Sequence, residues 1–277
     1  MAESWETPHD SSWLAPYLRH LILLLQYADR VAEIAIQTTA SRLFEEFLPK
    51  MQEESFPLLD CIDLLHDSWL LLPNTCLQIQ YPKLETLRIS RITISLSPVV
   101  FEALQILCLA VCEIPFQHLC ALADTSPRLK SLNLEAVYLS GPLARCARFA
   151  CLESLILQCN RHTEVMLSCL DAPILSSLTL AHTTLAPTMS QEIHHPRIFP
   201  TVRTLCFLNV SIRPPQQYGD YLLQCTPQVS TFELRACSGA DYQLLRHITT
   251  VKPTPLLYLQ TLAVTHLAED IFIMPLL

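Results

Sequence analysis

A six-residue phrase, leucine-x-x-leucine-x-leucine, returns along this chain about every twenty-five residues. Clean copies are Leu129-Lys130-Ser131-Leu132-Asn133-Leu134, Leu152-Glu153-Ser154-Leu155-Ile156-Leu157 and Leu175-Ser176-Ser177-Leu178-Thr179-Leu180. Placed outward from these, the phrase begins ten times, at Val31, Leu59, Leu84, Leu104, Leu129, Leu152, Leu175, Val202, Val229 and Leu259. Successive intervals are 28, 25, 20, 25, 23, 23, 27, 27 and 30 residues. Self-similarity at such a period implies a stack of like units, none of which buries its apolar side alone. The functional question therefore becomes which surface binds, rather than which atoms react. Val31–Ile36 matches the phrase least well and fits a capping unit.

Alternation within the phrase predicts a strand. Positions four and six point inward, and positions three, five and seven point to the opposite face. Proline stands two residues before the phrase at Pro57, Pro82, Pro127, Pro173, Pro200 and Pro227, where it stops the incoming segment without cutting a ladder. Six residues per phrase leave connections of 14 to 24 residues, enough to cross back to a parallel neighbour. Ser41–Leu48, Phe116–Asp124, Gln216–Gln224 and Ala240–Thr249 carry apolar residues at helical spacing. Pro49 is expected to end the first helix, and Gly219 weakens the third. With 3 glycines in the chain, tight left-handed turns should be rare.

Phrase and period together are the signature of a leucine-rich-repeat solenoid, whose units run about 20–29 residues. The expected fold is α/β: a horseshoe with about ten parallel strands on its concave face and helices or turns outside. Strand spacing near 4.8 Å makes the inner sheet roughly 45 Å long. Residues 1–13 read as a polar N-terminal tail and 14–277 as one repeat domain whose last unit is incomplete.

Composition narrows the partners. Apolar residues make up 51% of the chain and charged residues 16%, a large core under a thin charged surface. A net charge of −8 with no basic run argues against nucleic acid, which requires clustered Lys and Arg. The best candidate for a span, Leu21–Leu25, is five apolar residues against about twenty needed, so no membrane partner is expected. Met1–Asp10 is acidic and has no secretory pattern. The 12 cysteines show neither CxxC nor metal-ligand spacing, so most read as small core residues in a reduced cytoplasmic or nuclear setting. Cys112, Asn160 and Cys237 share one slot, three residues past position six. A buried side chain there can bond the backbone as it leaves the strand.

With the phase fixed, the chain resembles the repeat region of fungal F-box/leucine-rich-repeat proteins. Pro82–Ser90 (PKLETLRIS) and Ser126–Leu134 (SPRLKSLNL) carry the resemblance, and Leu21–Arg30 followed by Val31–Ile36 is similar to the helix-then-strand unit after the F-box. The resemblance implies the substrate-recognition part of a ubiquitin ligase. The F-box itself, which would bind a Skp-type adaptor, is not found in Met1–Trp13, so the adaptor is not carried over. A free-standing repeat scaffold is the alternative within binding proteins.

The fifth column of the sheet reads Ala35, Asp63, Arg88, Cys108, Asn133, Ile156, Thr179, Cys206, Glu233 and Ala263. Arg88, Asn133 and Glu233, with neighbouring Glu135 and Arg235, are the candidate partner-binding residues. No catalytic, cofactor or metal residue is assigned. The chain has no glycine-rich phosphate loop or Gly-x-Ser-x-Gly elbow. Cys120 lies two residues beyond His118 on an expected helix, a spacing at which side chains do not face each other. His194-His195 lies in the polar stretch Thr188–Arg197, a surface loop with Glu192 as the sole neighbouring ligand type. An enzyme is therefore not expected. Asp270–Leu277 is apolar after its first residue, which leaves Leu259–Thr265 as a bare edge open to self-association.

Overall fold

Each copy of the phrase contributes one strand to a ten-stranded sheet, and every strand starts at the phrase's third residue. The computed structural model describes residues 14–66, 72–77, 81–94, 101–141, 146–160, 163–185, 198–212, 223, 225–237 and 256–265. The strands are β1 (Glu33–Thr38), β2 (Cys61–His66), β3 (Thr86–Ser90), β4 (Ile106–Ala110), β5 (Ser131–Glu135), β6 (Ser154–Gln158), β7 (Ser177–Ala181), β8 (Thr204–Leu208), β9 (Thr231–Arg235) and β10 (Thr261–Thr265). Their order in space is their order in the chain, and every pairing is parallel. Register follows the repeat: Ser131 pairs with Ser154, and Ser154 with Ser177. Connections of different length are thus absorbed outside the sheet.

Alternation sets the two faces. From β2 to β9 the fourth and sixth positions are buried, as in Leu132 and Leu134 or Leu205 and Phe207. Position one joins them: Leu59, Leu104, Leu152, Leu175, Val202 and Val229 are fully buried. Each such side chain contributes about 1.5–3 kcal/mol of transfer free energy. The end strands differ. Ile34 and Ile36 of β1 are partly covered, and Leu262 of β10 is 38% exposed.

The recurring proline occupies a turn before the strand. In Phe56-Pro57-Leu58-Leu59 the N–H of Leu59 donates to the Phe56 carbonyl at 3.3 Å, and Ser126–Leu129 and Phe199–Val202 repeat the bond. Proline takes the second place of the turn, where its fixed φ is already correct. The first residue of the turn is buried throughout, as Phe56, Tyr81, Phe101, Phe149 and Phe199. Phe56 and Tyr81 meet edge to face with centroids 5.5 Å apart.

The expectation that left-handed backbone is rare is overturned. Arg91, Val111, Ala136, Cys159, His182, Asn209 and Ala236 all have φ between 48° and 62°. Each is the eighth residue of its repeat. Each N–H donates to the position-seven carbonyl of the next strand, as from Ala136 to Gln158 at 2.7 Å and from His182 to Leu208 at 2.7 Å. The chain must turn off the sheet while this N–H still pairs, and that geometry fixes φ whether or not glycine is present. A left-handed L-residue costs about 1–2 kcal/mol, and β-branched Val111 is the least accommodating of the seven.

The ninth position turns back inward. Asn160 is 3% exposed; its Nδ2 donates to the Leu134 carbonyl at 2.8 Å and its Oδ1 accepts the Val137 N–H at 2.8 Å. Cys237 Sγ donates to the Phe207 carbonyl at 3.4 Å, the equivalent acceptor one repeat back. The slot shared by Asn160 and Cys237 does bond the backbone, as expected.

Four α-helices have both ends among the described residues: α1 (Leu14–Leu25), α2 (Ser41–Glu53), α3 (Phe116–Thr125) and α4 (Thr163–Cys169); Leu223 and Cys225 are also helical. Pro49 does not end α2, which continues to Glu53. Buried Phe47, Leu48 and Met51 pin that last turn against the core, which offsets the one hydrogen bond proline removes. Short parallel strand pairs, such as Glu113–Pro115 with Tyr138–Ser140, occupy connections where no regular element was expected. Most of Gln216–Gln224 and all of Ala240–Thr249 lie outside the described residues, as do Thr188–Arg197 and Asp270–Leu277. No helix among the described residues is long and apolar enough to cross a membrane.

Candidate functional site

The outward fifth column is continuous, because parallel register sets Asp63 beside Arg88, then Cys108, Asn133, Ile156, Thr179, Cys206 and Glu233. Two polar groups form along it. In the first, Arg88 Nη1 stands 3.5 Å from Asp63 Oδ2. Arg88 and Asn133 both favour the ionised form of the neighbouring Cys108 thiol. Burial works against the charge on Arg88, but Asp63 and Cys108 outweigh it and raise its pKa. Burial pushes the Cys108 thiol up, against the pull of Arg88. Asp63 Oδ1 and Asn133 Oδ1 are buried with no hydrogen-bond partner among the described residues, so the row ends in two idle acceptors.

The second group lies on β8 and β9. Arg235 Nη2 donates to Glu233 Oε2 at 2.5 Å. Burial raises the Cys206 thiol, and the Glu233 carboxylate adds to the shift. Asn133 and Glu233 are four strand spacings apart, about 19 Å. The five candidates therefore fall into separate clusters. Arg88 and Asn133 belong to one, and Glu233 and Arg235 to the other. Glu135 stands apart, at the end of β5, where it helps burial raise the Cys159 thiol.

Two features were missed by reasoning from the sequence. Column three is a ladder of hydroxyls, Ser131, Ser154, Ser177, Thr204, Thr231 and Thr261, aligned on six adjacent strands. The signal was present in the phrase, at its third position. At position eight, Cys159, His182 and Asn209 follow one another on successive repeats, and Asn209 Nδ2 lies 3.0 Å from His182 Nδ1. A nucleophile would need an activated thiol and free N–H groups for a developing oxyanion. Here burial and Glu135 raise the Cys159 thiol, and the N–H groups of Ala136, Cys159 and His182 are bonded within the ladder.

The cysteines divide more evenly than expected. Cys112, Cys120, Cys169, Cys225 and Cys237 are buried, and burial lifts the Cys112 pKa to about 12. Cys61, Cys108 and Cys206 face outward on strands, and Cys151 and Cys159 are exposed. An outward strand position or a turn overrides the local apolar sequence. Among the described residues no group of three His, Cys, Asp or Glu side chains is placed to hold a metal ion. No protein-family model matches the chain, and no curated protein matches it.

Proposed function

We propose that the chain is a leucine-rich-repeat solenoid that acts as a protein-interaction module and docks its partner on the open face of the ten-stranded sheet. The observation that carries this is the asymmetry of the sheet. One face is filled by position-four and position-six side chains, while the other holds two polar clusters and a hydroxyl ladder over roughly 45 Å. Extended sheet faces of this kind are what repeat proteins use for binding. Arg88, Asn133, Glu135, Glu233 and Arg235 are the proposed contact residues. The ligase link rests on the resemblance of Pro82–Ser90 and Ser126–Leu134 to fungal F-box/leucine-rich-repeat proteins.

Proximity labelling in the native host identifies the partner, and purified partner is then titrated against Asn133→Arg and Glu233→Lys variants. At least tenfold weaker binding by either variant, with an unchanged circular dichroism spectrum, supports the proposal. Unchanged affinity in both variants and in an Arg88→Glu variant refutes it. Co-purification of cullin and a Skp-type adaptor supports the ligase assignment, and their absence favours a free-standing scaffold.

A further inference from the structure

We propose that Cys146 and Cys169 are a redox site, a thiol pair that exchanges with a small disulfide of the glutathione class and closes into an intrachain disulfide. The pair belongs to the connections, apart from the open sheet face. Ala147 and Arg148 pair in parallel register with Leu170 and Asp171, so Cys146 and Cys169 are the residues just before each paired segment. Arg148 Nε lies 3.7 Å from Asp171 Oδ2, which ties the last of these rungs. Neighbouring strands run about 4.8 Å apart, and a disulfide spans Cα atoms about 4.4–6.8 Å apart.

The sulfurs converge on one residue. Cys146 Sγ is 4.0 Å from the Ser168 carbonyl oxygen, and Cys169 Sγ is 3.7 Å from Ser168 Oγ. Ser168 Oγ donates to the Val165 carbonyl at 2.8 Å, which leaves the oxygen as an acceptor for the Cys169 thiol. Cys169 is the last residue of α4, and no other two described cysteines hold matching places on or just before paired strands.

Exposure assigns the order of events. Cys146 is half-buried and meets the reagent, while Cys169 is 6% exposed and cannot. The Cys146 thiol loses its proton, and its sulfur attacks one sulfur of glutathione disulfide. One glutathione thiolate leaves, takes up a proton, and a mixed disulfide remains on Cys146. The Cys169 thiol then loses its proton, its sulfur attacks the Cys146 sulfur, and the second glutathione leaves as a thiolate that takes up a proton. Two protein thiols are oxidised, one glutathione disulfide is reduced, and two glutathiones are released.

The test uses the folded, reduced full chain incubated with glutathione disulfide, quenched with acid and digested without reductant. Cleavage after Arg148 and Arg161 separates the two cysteines, so their bond survives as a linked peptide pair. The expected result is Cys146–Cys169 as the main cross-link. A Cys169→Ser variant should stall with one glutathione on Cys146, and a Cys146→Ser variant should leave Cys169 unmodified. Circular dichroism confirms that both variants fold. The proposal is overturned if the mixed disulfide persists on Cys146 in the native chain. Equally, it fails if exposed Cys151 or Cys159 joins Cys146 as readily as Cys169 does.

Discussion

Asn160 bonds two buried backbone groups, the Val137 N–H and the Leu134 carbonyl. In Asn160→Ala the Val137 N–H and the Leu134 carbonyl both stay buried, and both lose a bond of 2.8 Å. The orphaned N–H costs about 1–3 kcal/mol, and the carbonyl, which keeps its place in the β5–β6 ladder, about 0.5–1.5 kcal/mol. The small cavity adds little, so the loss is about 1.5–4.5 kcal/mol, a large share of a typical native stability of about 5–15 kcal/mol. Asn160 also accepts, at its own carbonyl, hydroxyls from Thr163 at 3.1 Å and Thr183 at 3.0 Å. Those bonds survive the substitution, which confines the effect to the amide. Thr183→Val is the matched control: Thr163 still serves the carbonyl, and the loss should be only about 0.5–1.5 kcal/mol. Asn160→Asp separates the two ends of the amide. It keeps an acceptor for Val137 but turns a carboxylate oxygen on the Leu134 carbonyl. That repulsion and burial raise the new carboxyl's pKa, so its stability is present at low pH and is lost as pH rises. Protonated, the acid can donate to Leu134, and the gap to the native chain should narrow towards acid. Urea unfolding followed by circular dichroism, with hydrogen exchange at the Val137 amide, measures all three. If Asn160→Ala stays within about 0.5 kcal/mol of the native chain and Val137 protection is unchanged, the assigned role is wrong.

Four other outcomes are expected. Ala136→Gly should stabilise by about 0.5–1 kcal/mol in urea, because relief of left-handed strain exceeds the added chain entropy; a loss would show that φ of 48° is not strained there. Leu155→Ala, at a fully buried position-four site, should cost about 2–5 kcal/mol by the same assay. Stability should fall at alkaline pH. Burial raises Cys112 from 9.0 and Tyr81 from 10.0, each to about 12, so their contributions are whole below pH 9 and 10 and drain away as pH rises through 12; a Cys112→Val chain should show a shallower decline in melts from pH 8 to 11. Leu262 is 38% exposed where its equivalents in β2–β9 are buried, so sedimentation should depend on concentration, and a monomer at every concentration tested counts against self-association through β10.

The strands were legible because a leucine period and a two-residue alternation state the same thing twice. Once Leu129, Leu152 and Leu175 are aligned, the partners of Ser131, Ser154 and Ser177 follow without further choice. The connections were less so. Their lengths vary, and short apolar runs such as Ile114–Phe116 serve a strand or a helix equally well until packing decides. The left-handed column was hidden because its cause is not local. A carbonyl on the next strand dictates the backbone of Val111 or Cys159, and no property of valine or cysteine announces it. The site lay between these cases. Alternation named the fifth column, but the coupling of Arg88 to Asp63, 25 residues earlier, depends on register and side-chain reach together.

Position eight also gives the molecule a direction. Each left-handed residue is held by the strand that follows it and never by the one before. When β10 frays, the Thr265 carbonyl lets go of Ala236, which is then free to relax to an ordinary helical or extended backbone and to release its strain. That release favours the loss of β9, which in turn frees Asn209. Peeling from the other end gains nothing comparable at first, since among the described residues the earliest such position is Arg91, after β3. Melting should therefore run as an asymmetric zipper from the C-terminal end, with amide exchange slowest near β4 to β6 and fastest towards β10.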